Sequence, residues 1–190
     1  MFFTQRRTRA AVAAGAMSAA LLLTACSGGD AGSSESTEAT TEGPHFVYIT
    51  SDPIGQNAFL ESGKIGIEAV AEANGGTSET FESKDDASRR SNLEAAVAEV
   101  PEVVVMLGFQ FADLALEFAE QYPDQAFVLI DTFVEGAPDN LYQATFREQE
   151  PSYLLGIEAG LLTESGTVGS VISLDIPLLQ KYSVGFDEGA

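Results

Sequence analysis

Three short apolar runs recur along the chain: "FVYIT" at 46–50, "VVVML" at 103–107 and "AFVLI" at 126–130. Stretches with helical periodicity separate them. A five-residue run with no polar alternation suits a parallel strand, because helices cover both faces of such a sheet. Between the first two runs, residues 57–74 place Leu60, Gly63, Ile67, Val70 and Ala71 on one helical face, and "NGG" at 74–76 supplies a stop. "SETF" at 78–81 reads as a weaker strand. Residues 88–99 repeat Leu93, Ala96, Val97 and Val100 at helix spacing until Pro101. This alternation predicts an α/β class with a parallel sheet flanked by helices.

The pattern continues downstream. A helix is expected from about Ala112 to Tyr122, burying Leu114, Ala115, Phe118 and Ala119, with Pro123 as its stop. "LYQATF" at 141–146 reads as a more polar strand and 150–163 as a very apolar helix. Gly156 and Gly160 lie one turn apart on that helix, which suits close packing against a sheet. "TVGSVIS" at 167–173 reads as a further strand, and the segment from Pro177 starts as a helix.

The N-terminus has a different character. Arg6, Arg7 and Arg9 precede an apolar run at 10–23, too short for a comfortable membrane span and suited to a signal peptide. Cys26, the single cysteine of the chain, follows at once. Leu23-Thr24-Ala25-Cys26 resembles the lipobox of bacterial lipoproteins. That pattern implies cleavage before Cys26 and lipidation of its thiol, and several acyl chains anchor a protein stably where one does not. Residues 1–25 are therefore expected to be a lipoprotein signal peptide. Residues 26–44, rich in Ser, Thr, Gly and Glu, are expected to be a flexible tether.

Charge narrows the function classes. The formal net charge is −20, and without the basic leader six basic residues face 29 acidic ones. Such a surface repels nucleic acid and disfavours anionic ligands. One cysteine excludes a disulfide framework and a thiolate zinc cluster, and one histidine, His45, argues against a histidine-based metal site. No nucleophile stands beside a histidine, and neither a P-loop nor a G-x-G-x-x-G is present. A binding protein without cofactor is expected, not an enzyme.

Ligands of parallel sheets bind beyond the carboxyl ends of the strands. After the first strand, "SDPIGQNAFLES" offers Asp52, Asn57 and the ring of Phe59. The same residues also suit a helix start, with Asp52 or Asn57 as cap and Phe59 in the core. After the third comes "GFQFAD", with Gly108, Phe109, Phe111 and Asp113. Asp131 and Thr132 follow "AFVLI", the charged "REQE" at 147–150 follows the next strand, and Asp175 follows the last. Carboxylates, amides and rings suit hydroxyl recognition and stacking on a neutral ligand.

Two segments carry a family resemblance. "MLGFQFADLALEFAEQYPDQAFVLIDT" at 106–132 and "TFREQEPSYLLGIEAGLLTESGTVGSVISLDIPLLQKYSVGFDEGA" at 145–190 resemble the basic membrane protein family of lipoproteins. The second segment matches its Phe-x-Glu-Gln-Glu, Gly-x-x-Ala, Thr-x-x-Gly-x-Val-Gly and Gly-Phe-x-x-Gly series. The resemblance implies a type I periplasmic-binding-protein fold, in which two α/β lobes hold a ligand in a cleft. It implies a solute-binding lipoprotein of an ABC importer on the outer face of the cell membrane, a monomer that works with a permease and an ATPase. Purine nucleosides are its implied ligands, with the base stacked on aromatics and the ribose held by carboxylates.

Carried over, the resemblance implies ligand-binding roles for Asp52, Asn57, Phe59, Gly108, Phe109, Asp113 and Asp175. The family's first loop reads Asp-x-Ser-Phe-Asn-Gln where this chain reads Asp52-Pro53-Ile54-Gly55-Gln56-Asn57. The Ser-Phe is missing, so either Phe59 supplies the ring or the ligand differs. An N-terminal lobe at 45–147 and the start of a C-terminal lobe at 148–190 are implied, which makes the second lobe incomplete and the chain a fragment. The competing expectations are a membrane-tethered sensor that signals to a receptor and a binder of sugar-like ligands.

Overall fold

The computed structural model describes residues 43–190; the leader, Cys26 and nearly all of the tether lie outside them. In chain order the elements are β1 (His45–Thr50), α1 (Ala58–Ala73), β2 (Thr77–Glu82), α2 (Asp86–Ala98), β3 (Val103–Leu107), α3 (Ala112–Gln121), β4 (Ala126–Ile130), β5 (Leu141–Ala144), α4 (Gln149–Leu162) and α5 (Pro177–Gly189). A single turn of 3-10 helix at Phe109–Phe111 leads into α3. The five strands form one sheet in the order β2-β1-β3-β4-β5, every pair parallel. The chain winds outward in one direction from β1 to β2 and in the other from β3 to β5. The switch point therefore lies between β1 and β3.

Successive strand residues point to opposite faces, so each apolar run feeds two cores. On one face Val47, Ile49, Val104, Met106, Phe127 and Leu129 pack against Leu93 and Ala96 of α2 and Ala115 and Phe118 of α3. On the other, Phe46, Tyr48, Val105 and Leu107 pack against Leu60, Ile67 and Ala71 of α1. The Tyr48 hydroxyl is fully buried and donates to the Leu60 carbonyl at 3.1 Å, so its burial leaves no orphan polar group. Each fully buried large side chain contributes about 1.5–3 kcal/mol relative to exposure.

The faces are not equally covered. Beside α1 an apolar groove of about 540 Å³ runs along β3 and β4, lined by Val105, Val128 and Ile130 among others. This explains Val70, which helical spacing assigns to the buried face but which is 44% exposed. It lines the groove, where among the described residues no helix packs beside α1.

The chain after β5 departs from the sequence pattern in two places. Residues 167–173 form no strand. A strand needs a partner for its backbone groups, and among the described residues none lies beside this segment; Val171 is fully exposed. Gly156 and Gly160 pack against α5, not against a sheet. A side chain at Gly156 would collide with the Phe186 carbonyl, and one at Gly189 with the Tyr153 carbonyl. Glycines on both helices thus bring the two backbones into contact.

Candidate functional site

The site grows from the carboxyl edge of the sheet. The loop after β1 is fixed by three bonds: the Ile54 amide donates to Glu82 Oε2 at 2.8 Å, the Ser83 amide to Thr50 Oγ1 at 3.3 Å, and buried Arg89 donates from Nη1 to the Ser51 carbonyl at 2.6 Å. That loop meets the one after β3 through Asp52 Oδ2, which accepts from Gln110 Nε2 at 3.1 Å. Gly108 permits this meeting. Its φ is +118°, and a Cβ there would stand 2.6 Å from Gln110 Oε1 and 3.0 Å from the Ser51 side chain. Only glycine fits both the torsion and the space.

Two cavities open beside these loops. The larger, about 580 Å³, is walled by Phe109, Thr132, Phe133, Thr145, Ile176 and Lys181. The smaller, about 300 Å³, is walled by Phe59, Asp131, Phe146, Arg147, Glu148 and Tyr182. Asp131 and Thr132, neighbours at the end of β4, face one cavity each, as do Lys181 and Tyr182 on α5. The Phe59 and Phe146 rings meet edge to face, with centroids 6.0 Å apart and planes at 70°, a favourable quadrupole arrangement. Phe59 is 40% exposed, so it belongs to the cavity wall and not to the core.

The charges here are concentrated and partly desolvated. Glu148 is buried and accepts from Lys181 Nζ at 3.0 Å, and the same ammonium lies 3.4 Å from the Phe146 carbonyl. Burial is the main cause that raises the Asp131 carboxyl above its ordinary value. Repulsion from Glu148 adds to the rise and Lys181 opposes it. Burial, then Asp131 and Glu148, likewise raise the Tyr182 hydroxyl. Asp131 also holds a left-handed φ of +70°, which aspartate tolerates better than most residues.

The sequence candidates fall into three groups. Phe59 and Phe109 wall the cavities, and Gly108 and Asp52 form the loop junction. Asn57 is the N-cap of α1; its Oδ1 accepts from the Phe59 amide at 3.0 Å and the Leu60 amide at 3.3 Å. Asp113, in the first turn of α3, and Asp175, which accepts from Gln180 Nε2 at 2.7 Å, are exposed and wall neither cavity. Phe111, two residues after Phe109, is fully buried in the α2–α3 core. Asp131, Thr132 and Glu148 stand at strand ends that the sequence marks, in "AFVLIDT" and "REQE", but no binding role is expected of them from sequence. Lys181 and Tyr182 carry no such signal, because they reach the site from α5.

Comparison with known proteins adds an independent line. The family model described as "ABC transporter substrate-binding protein PnrA-like" (Bmp) matches residues 45–190. An uncharacterized lipoprotein of Pyrococcus abyssi is 33% identical over 140 residues, which span 72% of this chain and 35% of that one. The ABC transporter nucleoside-binding protein BmpA of Lactococcus lactis is 24% identical over 184 residues, 95% of this chain and 52% of its own length. Among solved structures, an ABC transporter solute-binding protein from Aeropyrum pernix superposes with a TM-score of 0.66 at 26% identity, over 77% of this chain and 42% of that one. The sheet and its flanking helices are those of the type I periplasmic-binding-protein fold. The chain spans between 23% and 52% of the length of these and similar relatives.

Proposed function

The chain belongs to the family of PnrA-like ABC transporter substrate-binding proteins, and from that premise we propose that it captures a neutral purine nucleoside at the carboxyl edge of its sheet. The observation that carries this reading is the pairing of rings and carboxylates there. Phe59 and Phe146 offer aromatic surface beside Asp131, and Phe109 walls the adjoining cavity. Rings take a planar base, and a carboxylate accepts from ribose hydroxyls or base N–H groups. The nucleoside-binding name of the Lactococcus lactis relative supports the same ligand class.

The remaining parts follow from the same reading. A lipid on Cys26 holds the protein at the outer face of the membrane, and residues 27–44 give it reach. An ABC permease and its ATPase receive the ligand. Residues 45–147 act as one lobe, and 148–190 begin the second.

A thermal-shift screen of the full-length protein over nucleosides, sugars and amino acids tests the ligand class. A ligand at a hundred times its dissociation constant stabilises the folded state by about 2.7 kcal/mol, which a melting curve resolves. A rise with purine nucleosides is expected. A rise with a sugar alone would show the nucleoside reading to be wrong.

A further inference from the structure

At the end of the sheet opposite the cavities, three metal-ligating side chains converge. His45 opens β1, Glu79 lies in edge strand β2, and Glu99 is the C-cap residue of α2. In the parallel register His45 stands beside Thr77 and Val47 beside Glu79. Val47 packs against α2, so His45, Thr77 and Glu79 share the sheet face that α2 covers. The end of α2 then brings Glu99 to the same spot. The ligand atoms of His45, Glu79 and Glu99 all lie within 4.8 Å of one another. Ligands around a tetrahedral zinc stand roughly 3.4 Å apart; His45 Nε2 and Glu99 Oε2 are 3.2 Å apart.

The second nitrogen of the imidazole is held as well. His45 Nδ1 is 3.0 Å from Thr77 Oγ1. Without an ion, Nε2 donates its proton to Glu99 Oε2. An ion displaces that proton, and Nδ1–H donated to the Thr77 hydroxyl then directs the Nε2 lone pair at the cluster, the arrangement by which outer-sphere partners orient metal-binding histidines. Charge favours a cation in the same place. Among the described residues, the Lys and Arg ion pairs go to other carboxylates. The last turn of α2 has no basic residue, and its C-terminus adds negative partial charge. Two carboxylates and a neutral imidazole leave a charge that one divalent ion balances.

We propose that His45, Glu79 and Glu99 bind one divalent transition-metal ion, zinc being the best fit to a mixed imidazole and carboxylate set. The ion ties the edge strand β2 to β1 and to the end of α2, far from the cavities. It is therefore independent of the nucleoside reading. Counting histidines in the sequence misses this site, because its ligands are 34 and 20 residues apart and meet only through the β1–β2 register.

Calorimetric titration of the full-length protein with zinc chloride, in excess magnesium to occupy the diffuse acidic surface, tests the proposal. One saturable site per chain is expected. Glu99→Gln and His45→Ala should each weaken it by more than tenfold, and Thr77→Val by about tenfold. All four side chains lie at least partly exposed, and circular dichroism checks that the variants fold. No saturable zinc binding, or unchanged affinity in both His45→Ala and Glu99→Gln, overturns the proposal.

Discussion

Between Phe46 and Leu141 the chain buries most of its large apolar side chains on both faces of a five-stranded sheet; after Glu148 it packs two helices backbone to backbone and leaves most of theirs in solvent. Phe127, Leu129, Met106 and Val104 are fully buried in the first region. Leu154, Leu155, Leu161 and Leu162 of α4 are 57% to 81% exposed in the second. Both stretches are apolar in sequence, so apolarity alone does not decide burial. What differs is the partner. The sheet offers each helix a wide flat surface, whereas α4 and α5 meet along a narrow line of glycines. The candidate site lies at the seam of the two regions, with Phe59 and Asp131 from one and Lys181 and Tyr182 from the other.

The sharpest way to break this comparison is to remove equal chemistry from each side. Leu129→Ala should cost about 2–5 kcal/mol in urea unfolding, because it empties a fully buried position. Leu161→Ala should stay within about 0.5 kcal/mol. Equal losses would mean that the two regions are packed alike. Next in size is Gly156→Leu, which forces the helices apart at the Phe186 carbonyl and should cost about 1–3 kcal/mol. Amide exchange should then quicken in α4 and α5 while β1 and β3 keep their protection; uniform quickening would make this helix pair part of the sheet's cooperative unit.

Smaller effects sharpen the seam itself. Asn57→Ala removes the α1 cap and should cost about 1 kcal/mol, with Asn57→Gly costing less. A change in ligand affinity without that stability loss would give Asn57 a role beyond the cap. The smallest effect concerns Asp131. Burial, and then Glu148, raise its carboxyl pKa in the folded state. Folding therefore favours the protonated form, and that contribution is complete in acid below the unfolded value. It is lost as pH rises through the folded value. Asp131→Asn should accordingly raise the melting temperature at pH 7, and the gap between variant and parent should close in acid. A gap that stays constant with pH would assign the effect to something other than the charge.

How far the sequence carried can be read from individual elements. β1, β3 and β4 were legible because a run such as "VVVML" has few alternatives to a buried strand. α1 was legible to within one residue at each end, since Asn57 and Asn74, which flank it, carry cap chemistry. Residues 167–173 were not, because strand formation depends on a neighbour and composition does not report neighbours. The same limit applies to the site. Phe59 and Phe109 stood out as rings in loops, but Phe146 needed the end of β5 placed beside the start of α1. Phe111 and Phe109 look alike in sequence, yet one 3-10 turn sends Phe111 into the core and leaves Phe109 on the cavity wall. Lys181 and Tyr182 reach the site only because α5 lies beside the segments that follow β4 and β5.

The central claim is that the aromatic and acidic seam holds a nucleoside. Calorimetric titration of the full-length protein and of Phe59→Ala with a purine nucleoside tests it most directly. Stacking of a base on an aromatic side chain is worth about 1–3 kcal/mol, so the account predicts saturable one-to-one binding that weakens by roughly ten- to a hundredfold in the variant. Saturable binding that Phe59→Ala leaves unchanged, or no heat with any purine nucleoside, would contradict it.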